Sequence, residues 1–139
     1  CLDRVETSWP LKITITAGTT APVHSSASGK LFLAFMPRRS RERLVRQLPL
    51  VRHTSNTLGD PLRLSQELDR IRQQGYATES EEYLPGICAL AVPVHDADGR
   101  VAAAIAVHAP VSRLPIEAAI ELLPELHSAA EAMAQTLDW

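Results

Sequence analysis

The chain has 139 residues, a net charge of −2 and an apolar fraction of 45%, with aromatic residues at only 4%. That length fits one domain, able to bury about 70% of its unfolded surface without metal or disulfide staples, and the apolar share excludes a disordered chain. Near-neutral charge argues against the chain clamping nucleic acid by itself, and no run approaches the roughly 20 apolar residues of a membrane span.

In chain order, Val5 supports a short opening strand. Lys12–Thr16 alternates Ile13 and Ile15 against polar neighbours, the period of a second strand. Ser25, Ser26 or Ser28 can cap a helix through the apolar run Leu31–Met36, which Pro37 ends. Ser40 is the expected cap of a second helix carrying Leu44, Val45 and Leu48. Asp60-Pro61 starts a third, with Leu64, Leu68 and Ile71 on one face and Gly75 as its left-handed stop.

Tyr76 to Tyr83 reads as a strand, acidic at Glu79, Glu81 and Glu82. Ile87–Val94 and Val101–His108 read as strands joined by the Asp96–Gly99 turn. Pro115 to Leu137 is helical by its recurrence of Ile116, Ile120, Leu123, Ala130, Ala134 and Leu137. Pro124 demands a kink or restart inside that pattern. Hairpin-linked strands with helices grouped between and after them indicate an α+β fold with a mainly antiparallel sheet and flanking helices.

Two Cys, Cys1 and Cys88, make neither a disulfide framework nor a metal cluster, and a reduced, cytoplasmic compartment is the default. The five His show no paired metal spacing, so no metal or cofactor is expected. A nucleophile paired from Cys88 or Ser28 with His24 or His108 lacks an elbow pattern and an orienting acid, so catalysis is not expected. The basic run Arg38-Arg39-Ser40-Arg41-Glu42-Arg43 with Arg46 reads as a solvated helical face. Trp9 and Trp139 carry no assigned role. The chain opens at Cys1 without Met, so it reads as a fragment of a longer protein.

Two neighbouring strands each offer a face lined mostly by alanine: Ala89 and Ala91 on one, and Ala102, Ala104, Ala106 with His108 on the other. Either a helix packs closely there, or small side chains leave space near the strand ends for a ligand with His108 at its rim. The helix start at Ala27, Ser28 and Gly29 offers backbone N–H groups to a carboxylate, although capping by a Ser hydroxyl competes with that role. Lys30 either covers the surface with its stem, pairs with an acid or meets a ligand charge. Cys88, opposite Ala89 by alternation, is expected to be a buried, inert thiol.

Several of these residues form a pattern. Pro22-Val23-His24, then Ser28-Gly29-Lys30 before an apolar helix, resembles a motif of IclR-type transcriptional regulators. So do Ile71–Ala77 with Glu81-Glu82 and Pro85-Gly86, the run Ala89–Val94, and the exit Ala109–Arg113. The resemblance covers nearly the whole chain. It implies a GAF-like effector-binding domain, 1–139, from the C-terminal half of such a regulator, without the N-terminal winged helix-turn-helix that would bind DNA. It also implies self-association as a dimer or tetramer.

Matched by position, the family's effector pocket falls on Ala27, Ser28, Glu79, Ile87, Ala89, Ala106 and His108. Where some relatives carry hydroxyl or thiol groups on those strands, this sequence has Ala89 and Ala106. The effector expected is therefore a small carboxylate with an apolar or aromatic body, and Glu79 either accepts from a ligand hydroxyl or pairs with His108. An oligomerisation module and a stand-alone metabolite binder remain the alternatives.

Overall fold

The structure, a computed structural model, describes residues 1–136. Its organising element is the strand Ile87–His95 (β2), whose residues from Cys88 to Val94 are all buried. A strand apolar on both faces needs cover on both faces, and β2 is the middle of a three-stranded antiparallel sheet. Its neighbours are Ala77–Ser80 (β1) and Val101–Pro110 (β3). The turn 96–99 that joins β2 to β3 is held by Asp96, whose carboxylate accepts from the N–H groups of Asp98 and Arg100 at 2.9 and 2.8 Å.

Five helices clothe this sheet among the described residues. Ala27–Phe35 (α1) and Pro61–Gln74 (α3) lie on one face, where Leu31, Ala34, Leu64, Leu68 and Ile71 form a core with Ala77, Ala89 and Ala91. Arg38–Gln47 (α2) rests mainly on α3. Ile116–Ile120 (α4) and Leu123–Thr136 (α5) cover the other face, meeting Leu90, Val92 and Val94. The result is α+β with an antiparallel sheet between two helical layers, as the order of elements implies.

Local chemistry sets most boundaries. Asp60 caps α3 by accepting from the Arg63 N–H at 2.9 Å, and Gly75 ends it in the left-handed region with φ of 84°. α1 is capped by Ser26, and its C-cap Met36 precedes Pro37. The long C-terminal helix does break: α4 stops at Ile120, and α5 restarts with Pro124 as its second residue, where a missing N–H costs nothing. Leu137 and Trp139 lie outside the described residues.

Four expectations are corrected. No strand forms around Val5 or over Lys12–Thr16. Residues 1–20 are mostly exposed and close on themselves instead, through the Gly18 N–H to the Cys1 carbonyl at 2.8 Å and the Arg4 guanidinium to the Ile15 carbonyl. Alternation is a local signal, whereas a strand exists only through a paired backbone, and this segment makes no ladder with the described sheet. Ser40 does not cap α2; Pro37 holds that position and the helix starts at Arg38. The strand expected to reach Tyr83 ends at Ser80, because Glu81 turns into the left-handed region with φ of 55° and its carboxylate takes the Gly86 N–H at 2.6 Å.

Gly29 shows how tightly α1 is seated. A Cβ there would lie 2.5 Å from the Val23 carbonyl oxygen and 2.6 Å from the Val23 Cα, both backbone atoms that cannot swing aside. Gly29→Ala is expected to destabilise the domain by about 2 kcal/mol through overpacking, read as a lower urea midpoint at unchanged slope.

Candidate functional site

The helix entry comes first. Ser26 Oγ accepts from the Gly29 N–H at 3.2 Å and donates to the Pro22 carbonyl at 2.9 Å. Ordinary capping therefore occupies the Gly29 amide. The Ala27 and Ser28 N–H groups are the first two of α1 and have no acceptor within the helix. Beside them, the Ser25 hydroxyl is fully buried without a hydrogen-bond partner.

The sheet supplies the opposite wall. Antiparallel register pairs Glu79 with Ala89 and Ala89 with His108, so these three residues form one row across all three strands. The next row is Ala77, Ala91 and Ala106. Alternation puts Ile87 on the same face as Ala89. All five strand positions expected at the pocket thus share the face that α1 covers.

Exposure grades along that face. Ala27 and Ala89 are closed off, at 0 and 1%. Ser28, Gly29, Ile87 and Ala106 are half-buried, and His108 is exposed. The inner alanines let α1 approach closely, with Leu31 and Ala34 seated against Ala77, Ala89 and Ala91. The close-packing reading thus describes the inner sheet, and exposure rises toward the outer end, at Ile87, Ser28 and His108.

Glu79 is buried and structurally engaged. Its Oε1 accepts from the Glu82 N–H at 2.6 Å and the Tyr83 N–H at 3.2 Å, fixing the turn after β1. It stands two strand spacings from His108, about 10 Å, so the two do not pair directly. Burial pushes the Glu79 carboxyl above its ordinary range, against the pull of those two amides. Surrounding protein lowers the His108 imidazole below its ordinary value, despite its exposed edge. A neutral His108 at neutral pH offers one donor and one acceptor, not a cation.

Sequence reasoning missed the scaffold behind this wall. Lys30 is fully buried, and its Nζ donates to both oxygens of Glu82 at 2.6 and 2.8 Å, with Glu67 at 3.7 Å. Of the roles open to Lys30, pairing with an acid is the one seen, in the interior instead of on the surface. Thr57, 1% exposed, donates to the Glu82 carbonyl at 2.6 Å, and Thr54 donates to the Glu81 carbonyl at 2.6 Å. His24 Nε2 bonds the Val51 carbonyl at 2.9 Å, and the His53 ring stands edge-on to Tyr83 with centroids 5.1 Å apart. Only the Lys-and-acid composition hinted at these contacts, since they join segments distant in sequence.

Cys88 lies on the face opposite Ala89, 1% exposed, with its Sγ donating to the Leu114 carbonyl at 2.9 Å. Burial pushes its thiol up, away from the reactive thiolate. Among the described residues, no group of three or more His, Cys, Asp or Glu is placed to hold a metal ion.

An antiparallel sheet between two helical layers, with a helix start facing a polar-edged alanine surface, defines a GAF-like α+β domain of the effector-binding kind. The sequence pattern described as "Bacterial transcriptional regulator IclR C-terminal" matches residues 1–135, and the chain belongs to this family. It is 42% identical over 135 residues to the probable transcriptional regulator SauR of Cupriavidus necator, covering 97% of this chain and 54% of that protein. Its fold is similar to that of Thermotoga maritima IclR, with a TM-score of 0.88 and 30% identity over 99% of this chain and 56% of the other. It is also similar to the inducer-binding domain of PobR from Acinetobacter, whose double mutant was solved with 3-hydroxybenzoic acid. There the TM-score is 0.80 and the identity 29%, over 85% of this chain and 70% of that one. The chain spans about half the length of the curated relatives it matches. Those relatives are transcriptional regulators.

The raised Glu79 carboxyl sets a pH dependence. A carboxyl that holds its proton more tightly when folded contributes stability in full below its unfolded pKa, near 4.5, and loses it as pH rises through the folded value. Glu79→Gln keeps the acceptor oxygen and cannot ionise. Urea midpoints of the two proteins at a series of pH values should show the variant gaining on the parent as pH rises from 4.5 and then levelling off; parallel curves would mean that Glu79 ionises as freely folded as unfolded.

Proposed function

We propose that this domain senses a small carboxylate with an apolar or aromatic body, and that occupancy controls DNA binding by the rest of a longer regulator. The observation that carries this reading is the row Glu79–Ala89–His108 facing the unbonded amide start of α1. A ligand carboxylate would sit at the start of α1 on the Ser28 N–H, next to that of Ala27, where the helix dipole favours an anion. Its apolar body would lie over Ile87 and Ala106, at the edge of the part of the face that α1 closes over Ala89. A ring hydroxyl would meet neutral His108, or the Glu79 oxygen not engaged by the turn. Gly29 contributes by keeping α1 close to Val23 and not through its own capped amide.

The likeness to an inducer-binding domain solved with a hydroxybenzoate supports the ligand class. Ala89 and Ala106 offer no side-chain hydrogen bond, which disfavours the smallest 2-oxo acids, whose recognition needs several polar partners. Regulation then follows from linkage. An effector that binds one subunit arrangement better than another shifts that equilibrium by the difference in binding free energy. The domain would relay this shift as a dimer or tetramer, DNA being contacted only through the other half of the protein.

Thermal-shift screening with benzoate, hydroxybenzoates, phenylacetate, pyruvate and glyoxylate, followed by calorimetry, tests this. An aromatic acid should raise the melting temperature saturably, and Ser28→Tyr, Glu79→Ala and His108→Ala should each weaken it by about tenfold or more, near 1.4 kcal/mol. Unchanged affinity in all three places the site elsewhere. Absence of saturable binding across the panel favours an oligomerisation module.

A further inference from the structure

α2 carries five arginines and one glutamate in ten residues, within a chain of net charge −2. Two of the five have structural work. Arg38 Nε donates to Glu42 Oε1 at 2.8 Å, and the buried Arg41 reaches Asp69 and the Ala34 carbonyl. Arg39, Arg43 and Arg46 form no ion pair or side-chain hydrogen bond among the described residues, and all three are exposed. Their spacing of four and three puts them on one helical face. With Glu42 and Gln47 they line an open concavity of about 250 Å³.

Folding does not ask for arginine at 39 or 43, although Arg46, in the last turn, suits the negative end of the helix dipole. The inward face of α2 is provided by Leu44, Val45 and Leu48. The first turn holds no acid, and Pro37 gives no side-chain cap, so the arginines there add to the positive end of the helix dipole instead of opposing it. A break of local electrostatics with no compensating contact is what a binding site leaves in a sequence. The run taken alone reads as a solvated face; the three-dimensional arrangement adds an unpaired arginine triad around one hollow, with Glu42 already neutralised by Arg38.

We infer that this face of α2 binds a small, multiply charged phosphate anion, a chain of two or three phosphates free or carried on a nucleotide. Guanidinium forks meet phosphate oxygens two at a time, and three of them spread over about 10 Å of helix suit successive phosphates. The hollow is shallow and open, so charge and the spacing of the three arginines carry the fit. α2 rests mainly on α3, so this site is separate from the one on the sheet.

The test is calorimetry of the 139-residue chain with sodium triphosphate. Saturable binding is expected, weakening as sodium chloride rises from about 50 to about 300 mM. Arg43→Gln/Arg46→Gln should weaken it by about tenfold or more, with circular dichroism unchanged, whereas Arg63→Gln, an exposed arginine on α3, should leave it intact. Binding of any carboxylate effector should persist in the double variant, which separates the two sites. No saturable heat, equal loss in Arg63→Gln, or capture of duplex DNA without triphosphate binding would each overturn the inference.

Discussion

The register of β2 with both of its neighbours is the constraint on which the rest of the domain depends. Because Ala89 lies opposite both Glu79 and His108, one row crosses the whole sheet with an acid at one end, a methyl in the middle and an imidazole at the other. A slip of one residue on either side would send its member of the row to the face that α4 and α5 cover. Register is fixed by burial: β2 hides side chains on both faces, and the larger ones, Leu90, Val92 and Val94, fill the α5 side and leave alanines for α1. Small residues on one face and large ones on the other let α1 sit near enough for its first amides to face that row.

A second device fixes the helix entry relative to the turn after β1. Lys30 is fully buried on α1, and both oxygens of Glu82 accept hydrogen bonds from its Nζ. Burying such a pair costs much of what its attraction returns, so its contribution is better described as specificity than as stability; removing one partner would cost about 3–5 kcal/mol. Thr54, Thr57 and Glu79 complete the fixing of residues 81–83 from two other directions. The wall of the proposed effector site is thus a tethered turn, and a ligand seated against it would bear on α1, β1 and the loop before α3 together. That connectivity is what a sensor needs if occupancy is to reach subunit contacts.

Much of this was legible in the sequence. The cap at Asp60, the stop at Gly75, the hairpin at Asp96–Gly99 and the restart at Pro124 are local chemistry, and each stands where its residues place it. Alternation puts Ile87 with Ala89, and Ala106 with His108, on one face of each strand, whereas Glu79 and the grouping of all five come from the family resemblance. What was not legible is what depends on distant partners. Lys12–Thr16 has the alternation of a strand without a paired backbone, and β1 is cut short by a left-handed Glu81 that no periodicity reveals. The Lys30–Glu82 pair and the orphan Ser25 hydroxyl needed the fold before they could be seen.

The central claim is that the amide start of α1 and the row Glu79–Ala89–His108 bound one ligand site. Amide chemical-shift mapping of the isotopically labelled domain during titration with a hydroxybenzoate tests it most directly. Shifts should concentrate on Ala27, Ser28, Glu79, Ile87, Ala89, Ala106 and His108 and saturate together with one affinity. Saturable shifts confined to α5 or α2, with those seven amides unmoved, would contradict it.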